Sequence, residues 1–462
     1  MLRLPILFFL FIAVAPAKAT VYVLLWFDTE DYIEPASDDA ALRIANDLSA
    51  AGVRATFKVV GEKARVLEAR GRRDIFRALA PHDIGYHTDW HSVPPAPAVY
   101  LRTLGWLEGA AEFERRERQG IADVTRIFGI APSCYGQPGS SWAPQALRAL
   151  KRMGIGTYVD EGSQIGVNEQ PFWLDGMLNV FNMGQFSLRA SLEKGARISD
   201  DIARFDAAVK KLGAQGGGVI SIYYHPTEFV TTEFWDGVNF PGGRMTEREQ
   251  WKSPQRRSAE DSERCFNILK QYVEHARTRP EVQFLTAREL RRIFDGLRPP
   301  ALDRSIAARH LAEHITFLTT ENGSYSAADL LQILLGLEPR DVEGPSERGQ
   351  TNFEGAMIPR SAFERAKRDA ISAIETLNRL PANLWLGSQQ LSLIDFAATL
   401  ASDSGATAGV ALRRGKPEME QYVARNPTAP FRWPIHPEGF TAPELLELAR
   451  LQAWTLKPAR LR

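Results

Sequence analysis

From Val21 to Phe27 seven consecutive residues are apolar, a run too short for a buried helix and rich in β-forming side chains, which predicts a buried parallel strand. Over 38–51 the period changes. Ala41, Ile44, Ala45 and Leu48 share one helical face, with a start signal at Ser37/Asp38 and a stop at Gly52. Strand-like runs recur at 54–60, 83–86, 156–159, 177–181, 219–224 and 282–285, and helical stretches such as 143–153 and 203–212 lie between most of them. Strands alternating with helices form parallel βαβ units, and about seven or eight such units over this length predict an α/β fold with a distorted, nearly closed (β/α) barrel. Barrels of this kind present their functional groups at the C-terminal ends of the strands. The barrel is expected to occupy residues 20–298, its last helix opened by the capping-box pattern Thr286-Ala287-Arg288-Glu289.

Beyond Pro300 the pattern becomes mainly helical, broken by Gly and Pro, which predicts an accessory domain over 301–462. One short pattern occurs three times there: Tyr325 to Leu330, Leu391 to Phe396 and Phe440 to Leu445. Each has an apolar residue, a Ser or Thr N-cap, an acid three positions on and an apolar helix face. Three ordinary capped helices and degenerate copies of a small helical repeat both fit, the latter loosely similar to cell-wall-binding repeats.

At the other end, Arg3, a charge-free run of 14 residues from Leu4 to Ala17, and Ala17-Lys18-Ala19 make the pattern of a cleavable signal peptide over 1–19. The run is too short to span a bilayer. A secreted or periplasmic mature chain without a transmembrane span is the expectation. With 56 Lys+Arg against 56 Asp+Glu, the chain lacks the positive field that binding nucleic acid requires. Two cysteines, Cys134 and Cys265, are too few for a disulfide scaffold or a cysteine-based zinc ribbon, and their pairing stays open.

Candidate chemistry sits at two strand ends. Asp28-Thr29-Glu30-Asp31 follows the first strand, and His87-Thr88-Asp89-Trp90-His91 follows the third. Two imidazoles and a carboxylate with an open position are a catalytic zinc set. A second pair, His310 and His314, has the same spacing, but it lies on an Ala-rich helical stretch past the barrel, where a solvated face is the simpler reading.

Residues 21–298 resemble the polysaccharide deacetylases of the NodB-homology type, carbohydrate esterase family 4. Five segments carry the resemblance in order: Leu25-Trp26-Phe27-Asp28, Ala55 to Gly61, His82 to His91, Tyr135-Gly136-Gln137-Pro138-Gly139, and Ile220 to His225. The resemblance implies a metal-dependent hydrolase that removes N-acetyl groups from amino-sugar residues of a polysaccharide. Asp28 would be the general base and His225 the acid that protonates the leaving amine. His87, His91 and Glu30, with Asp31 as the alternative acid, would hold a divalent metal, usually zinc. Asp160 is a candidate to orient His225. Gln137, Gly139 and Trp142 are the expected substrate contacts, Gly139 through its N–H, and Ser141, Phe229, Phe234, Trp235, Phe240 and Trp251 are further candidates. Two departures stand out. Thr29 replaces the acid that usually follows the base, and Gly136 stands where the family has an Arg that pairs with it. Rival readings are a metal-dependent hydrolase of a small amide and a non-catalytic glycan-binding protein on the same barrel.

Overall fold

Strand β1, Val21–Thr29, is buried along nearly its whole length because both of its edges and both of its faces are covered. The computed structural model describes residues 19–294 and 298–462, so most of the expected signal peptide lies outside the described residues. One edge of β1 pairs in parallel with β8 (Gly218–Tyr224) from Val21↔Gly218 to Phe27↔Tyr224. The other edge is shared. Its first half takes β9 (Val282–Leu285) and its second half takes β2 (Thr56–Val59). Strand β3 (Asp83–Tyr86) follows β2, and the single bridges Tyr86↔Tyr135 and Tyr135↔Tyr158 carry the sheet to β4 (Thr157–Val159). Strand β6 (Met177–Val180) pairs in parallel with β4, and β7 (Ser187–Leu188) with β8. The strands thus run around a barrel left open between β6 and β7, and all seven expected runs contribute strands. One strand the apolar pattern did not separate, β5 (Phe172–Leu174), turns back antiparallel on β6.

The first helix differs in detail from expectation. It runs Pro35–Ala50 and is capped by Glu34, whose side chain accepts the Ala36 N–H, while Pro35 takes a position where a missing donor is harmless. Ser37 and Asp38 are instead buried, and Asp38 pairs with Lys63 and with Arg70 at 2.6 Å. The barrel's closing helix, Ala287–Ile293, has the expected reciprocal box between Thr286 and Glu289. Cys134 and Cys265 are both buried and free, so they do not pair.

The region after 300 is mainly helical and contains one motif twice. Helix Arg304–Glu313, a hairpin at 318–325 and helix Ala327–Leu334 are matched by helix Arg360–Leu377, a hairpin at 383–392 and helix Leu393–Ala401. Ser326 and Ser392 cap the second helix of each unit by accepting the Asp329 and Asp395 N–H groups. The third expected copy lacks the hairpin. Its helix, Pro443–Gln452, starts after Ala442 without a side-chain cap, because the alanine methyl offers no acceptor. This region shares one apolar core with the barrel, and Lys457–Pro458 pairs with β5 as an extra strand. Among the described residues no helix is long and apolar enough to cross a membrane.

Candidate active site

The C-terminal strand ends surround a cavity of about 480 Å³, lined by Asp28, Glu30, His87, His91 and His225 among others. Asp28 and Glu30 face it together because they lie two residues apart at the end of β1, where side chains alternate. His87 follows β3 directly. A tight turn, with Thr88 and His91 in left-handed conformations (φ 64° and 53°), brings His91 back so that the two Nε2 atoms are 3.1 Å apart.

Glu30 Oε2 lies 2.9 Å from His91 Nε2 and 3.4 Å from His87 Nε2, and all three side chains are buried. Their outer atoms are already engaged. His87 Nδ1 is 3.0 Å from the Gly136 carbonyl, and His91 Nδ1 is 2.7 Å from Ser92 Oγ, which itself donates to Asp236 Oδ2 at 2.9 Å. With each Nδ1–H spent on an oxygen, each ring turns an Nε2 lone pair toward Glu30, the arrangement that metal-binding imidazoles require. Three ligand atoms within 4.8 Å of one another, from one carboxylate and two imidazoles, fit a divalent cation with an open position. Burial opposes charge on Glu30, but His91 and His225 outweigh it and hold its carboxyl well below the usual range. Burial pushes the His87 imidazole down.

Asp31, the alternative acid, turns away from this cluster. Its Oδ1 accepts the Ile33 and Glu34 N–H groups and its Oδ2 the Thr227 hydroxyl, each at 2.9 Å.

The partner of Asp28 is Lys58, which sequence reasoning missed. Its Nζ lies 2.9 Å from Asp28 Oδ1 and 2.8 Å from Asp160 Oδ2, in full burial. Burial disfavours this ammonium, yet Asp160 and Asp28 more than offset it and raise its pKa. Gly136 makes the room: a Cβ there would lie 1.9 Å from Lys58 Nζ and 2.3 Å from Asp160 Oδ2. The cation that the resemblance placed at position 136 is delivered instead from β2. A second clustering of acids and imidazole, Asp28, His87 and Asp160, therefore already holds a positive charge.

His225 Nε2 is 3.6 Å from Asp28 Oδ2 and 4.0 Å from Glu30 Oε2. Its Nδ1 is oriented by Glu228 Oε2 at 2.9 Å, not by Asp160, which is spent on Lys58. Glu228 is in turn held by Arg189 at 2.7 Å. Burial lowers the His225 pKa, but Glu30, Glu228 and Asp28 together raise it to about 9, so the ring carries a proton at neutral pH.

The expected substrate contacts divide. Gln137 and Gly139 line the cavity, although Gln137 is already bonded to the Glu161 carbonyl (2.8 Å) and the Tyr158 hydroxyl (2.5 Å). The Gly139 N–H has no acceptor among the described residues. Trp142 is a correction: it is buried in the core against Phe181, with ring centroids 6.3 Å apart, and does not line the cavity. Trp142→Phe is expected to cost about 1–3 kcal/mol of stability in urea denaturation while leaving KM unchanged. Ser141 accepts the Ala98 N–H, Phe229 packs on Tyr224 and Phe266, and Trp235, Phe240 and Trp251 close a separate apolar cluster with Tyr32. Of those further aromatics, only Phe234 lines the cavity, facing Trp433 from the C-terminal region. His314 ends its helix, pairs with Glu418 at 3.1 Å and has no place in a metal-binding group among the described residues.

No family model matches the chain, and no curated protein matches it. Solved structures do. A probable polysaccharide deacetylase from Pseudomonas aeruginosa PAO1 is 12% identical, with a TM-score of 0.39, covering 60% of this chain and 93% of that one. Puue allantoinase is 13% identical, with a TM-score of 0.39, over 59% and 89% of the two chains. A family 4 acetyl xylan esterase from Clostridium thermocellum, in complex with a cobalt ion, is 16% identical, with a TM-score of 0.29, over 58% and 89%.

Proposed function

We propose that this protein is a metal-dependent deacetylase, exported by residues 1–19, that removes N-acetyl groups from amino-sugar residues of a polysaccharide. One observation carries the reading: Glu30, His87 and His91 bring three ligand atoms together directly beside an ion-paired carboxylate, Asp28, and the His225 imidazole.

Glu30, His87 and His91 would hold the cation, which supplies positive charge to polarise an acyl carbonyl and acidify water. Lys58 pairs with Asp28 and fixes it through Oδ1, leaving Oδ2 to take a proton from the attacking water. The water oxygen first bonds the acyl carbon, placing negative charge on the former carbonyl oxygen, and the amide C–N bond breaks as that adduct collapses to the acid. His225, aligned by Glu228, gives its proton to the departing nitrogen, since an amine cannot leave as an anion. The products are acetate and the free amino sugar, and Asp28 and His225 then exchange protons with solvent. The unpartnered N–H of Gly139 is available to the developing oxyanion.

Metal content and acetate release, measured together on a panel of N-acetylated glycans, test the reading. The wild type is expected to carry about one divalent ion per chain and to release acetate, with both lost in His87→Ala. The form isolated from cells is expected to begin at Thr20. Bound metal without acetate from any glycan would turn the assignment to a small amide or to glycan binding, and absence of metal would remove the site itself.

A further inference from the structure

The segment 429–434 is remote in sequence from the barrel loops, yet Ala429, Pro430, Arg432 and Trp433 line the cavity. It is fastened to two sides of the mouth. On one side the Trp433 N–H donates to Ser140 Oγ, 293 residues away, at 3.1 Å, and Gln164 Nε2 donates to the Pro430 carbonyl at 3.1 Å. On the other side Trp433 Nε1 donates to Asp236 Oδ2 at 2.8 Å, and the Gly242 N–H to the Pro434 carbonyl at 2.7 Å. The indole lies so close over Gly139 (φ 52°) that a Cβ there would come within 2.4 Å of its Cδ1. Phe234 extends this wall, with its ring centroid 5.3 Å from that of Trp433 and 4.9 Å from that of His225.

We propose that this strap closes one end of the substrate cleft, so that the protein acts on the terminal residue of a glycan chain and not on residues within it. The proposal rests on the deacetylase reading above. A polymer bound through its interior needs two exits past the reacting acetamide. Here the loop ends at Ser140 and Gln164 and the insertion from Phe234 to Gly242 are joined across the mouth by 429–434. The space left, about 480 Å³, falls within the roughly 300–1,000 Å³ of pockets that bury whole small ligands. Trp433 and Phe234 give that pocket apolar ring faces suited to the C–H face of a pyranose. Arg432, exposed and without an ion-pair partner among the described residues, adds hydrogen-bond donors at the rim.

A hexamer of β-1,4-linked N-acetylglucosamine, isotopically labelled at its reducing end, provides the test: zinc-loaded protein is incubated with it and the products are sequenced by tandem mass spectrometry. The wild type is expected to remove acetyl from one terminal unit alone. Trp433→Gly is expected to remove it at internal units as well, with KM raised several-fold. Trp433→Phe, which keeps a ring but loses the bond to Asp236, is expected to retain the terminal pattern, which separates the wall from any effect passed through Asp236 and Ser92 to His91. Internal deacetylation by the wild type, or a terminal pattern unchanged in Trp433→Gly, overturns the strap proposal and leaves the deacetylase reading standing. Absence of acetate from the hexamer and from every glycan of the panel overturns the deacetylase reading on which it rests.

Discussion

Lys58→Met is expected to lower kcat/KM by roughly 10²–10³-fold and to destabilise the protein by about 3–5 kcal/mol, because removal of one partner leaves buried charge uncompensated. The ammonium is the shared counter-ion of Asp28 and Asp160, and it is fully buried. Without it two carboxylates face each other, and the pair takes up a proton instead. A protonated pair is a poor base, so the loss should fall on kcat. The compensating change is also defined by the geometry. In the wild type an Arg at position 136 has no room, since even a Cβ there would be 1.9 Å from Lys58 Nζ. In Lys58→Ala that contact is gone, but the same Cβ still meets Asp160 Oδ2 at 2.3 Å and the Val159 carbonyl at 2.7 Å, so the Arg enters only as the released Asp160 carboxylate turns aside. With that shift Lys58→Ala/Gly136→Arg is expected to recover about tenfold of the lost activity, about 1.4 kcal/mol, by returning a cation from the loop. Kinetics and urea unfolding of the single and double variants check this. Unchanged kcat/KM in Lys58→Met would dissociate Lys58 from the chemistry.

Glu228→Gln should act through His225 and should be visible in the pH profile. Against the opposing effect of burial, Glu30, Glu228 and Asp28 raise His225 to about 9. Replacing Glu228 by a neutral amide removes one raising influence, so the His225 pKa falls and the fraction able to donate a proton shrinks from the alkaline side. The alkaline limb of kcat/KM against pH is therefore expected to move to lower pH, with activity at neutral pH reduced by about 10²-fold as the ring loses alignment. Arg189 also loses its partner, which will cost some stability. A merely structural role would lower activity at every pH without moving the limb, and that outcome would separate Glu228 from proton transfer.

What the sequence revealed follows from which constraints are local. The strand ends with Asp28, Glu30, His87 and His91 were legible because short segments of fixed order sit at strand ends, and alternation along β1 already favours Glu30 over Asp31 once the strand continues to Thr29. Lys58 was hidden by the same alternation. Thr56 and Lys58 alternate with Phe57 and Val59 as in a half-solvated strand, whereas all four are buried because the barrel interior is polar at this level. Asp160 was a reasonable orienting acid by position, but Lys58 claims it, and Glu228, three residues from His225 on a short turn, does the work. Trp142 resembled a sugar contact until its backbone turned it into the core. Nothing local to Trp433 connects it with Ser140 or Asp236, since only the tertiary fold brings them together.

The strand formed by Lys457–Pro458 bears on biogenesis. Strand β5 pairs with it antiparallel, and Leu461 bridges Phe294 beside the closing helix. Chains grow from the N-terminus at about 5–20 residues per second, so for tens of seconds β5 presents an unsatisfied edge that invites wrong partners. A nascent barrel cannot be finished until Lys457 and Pro458 have left the ribosome, and deleting those two residues would leave every copy in that unguarded state.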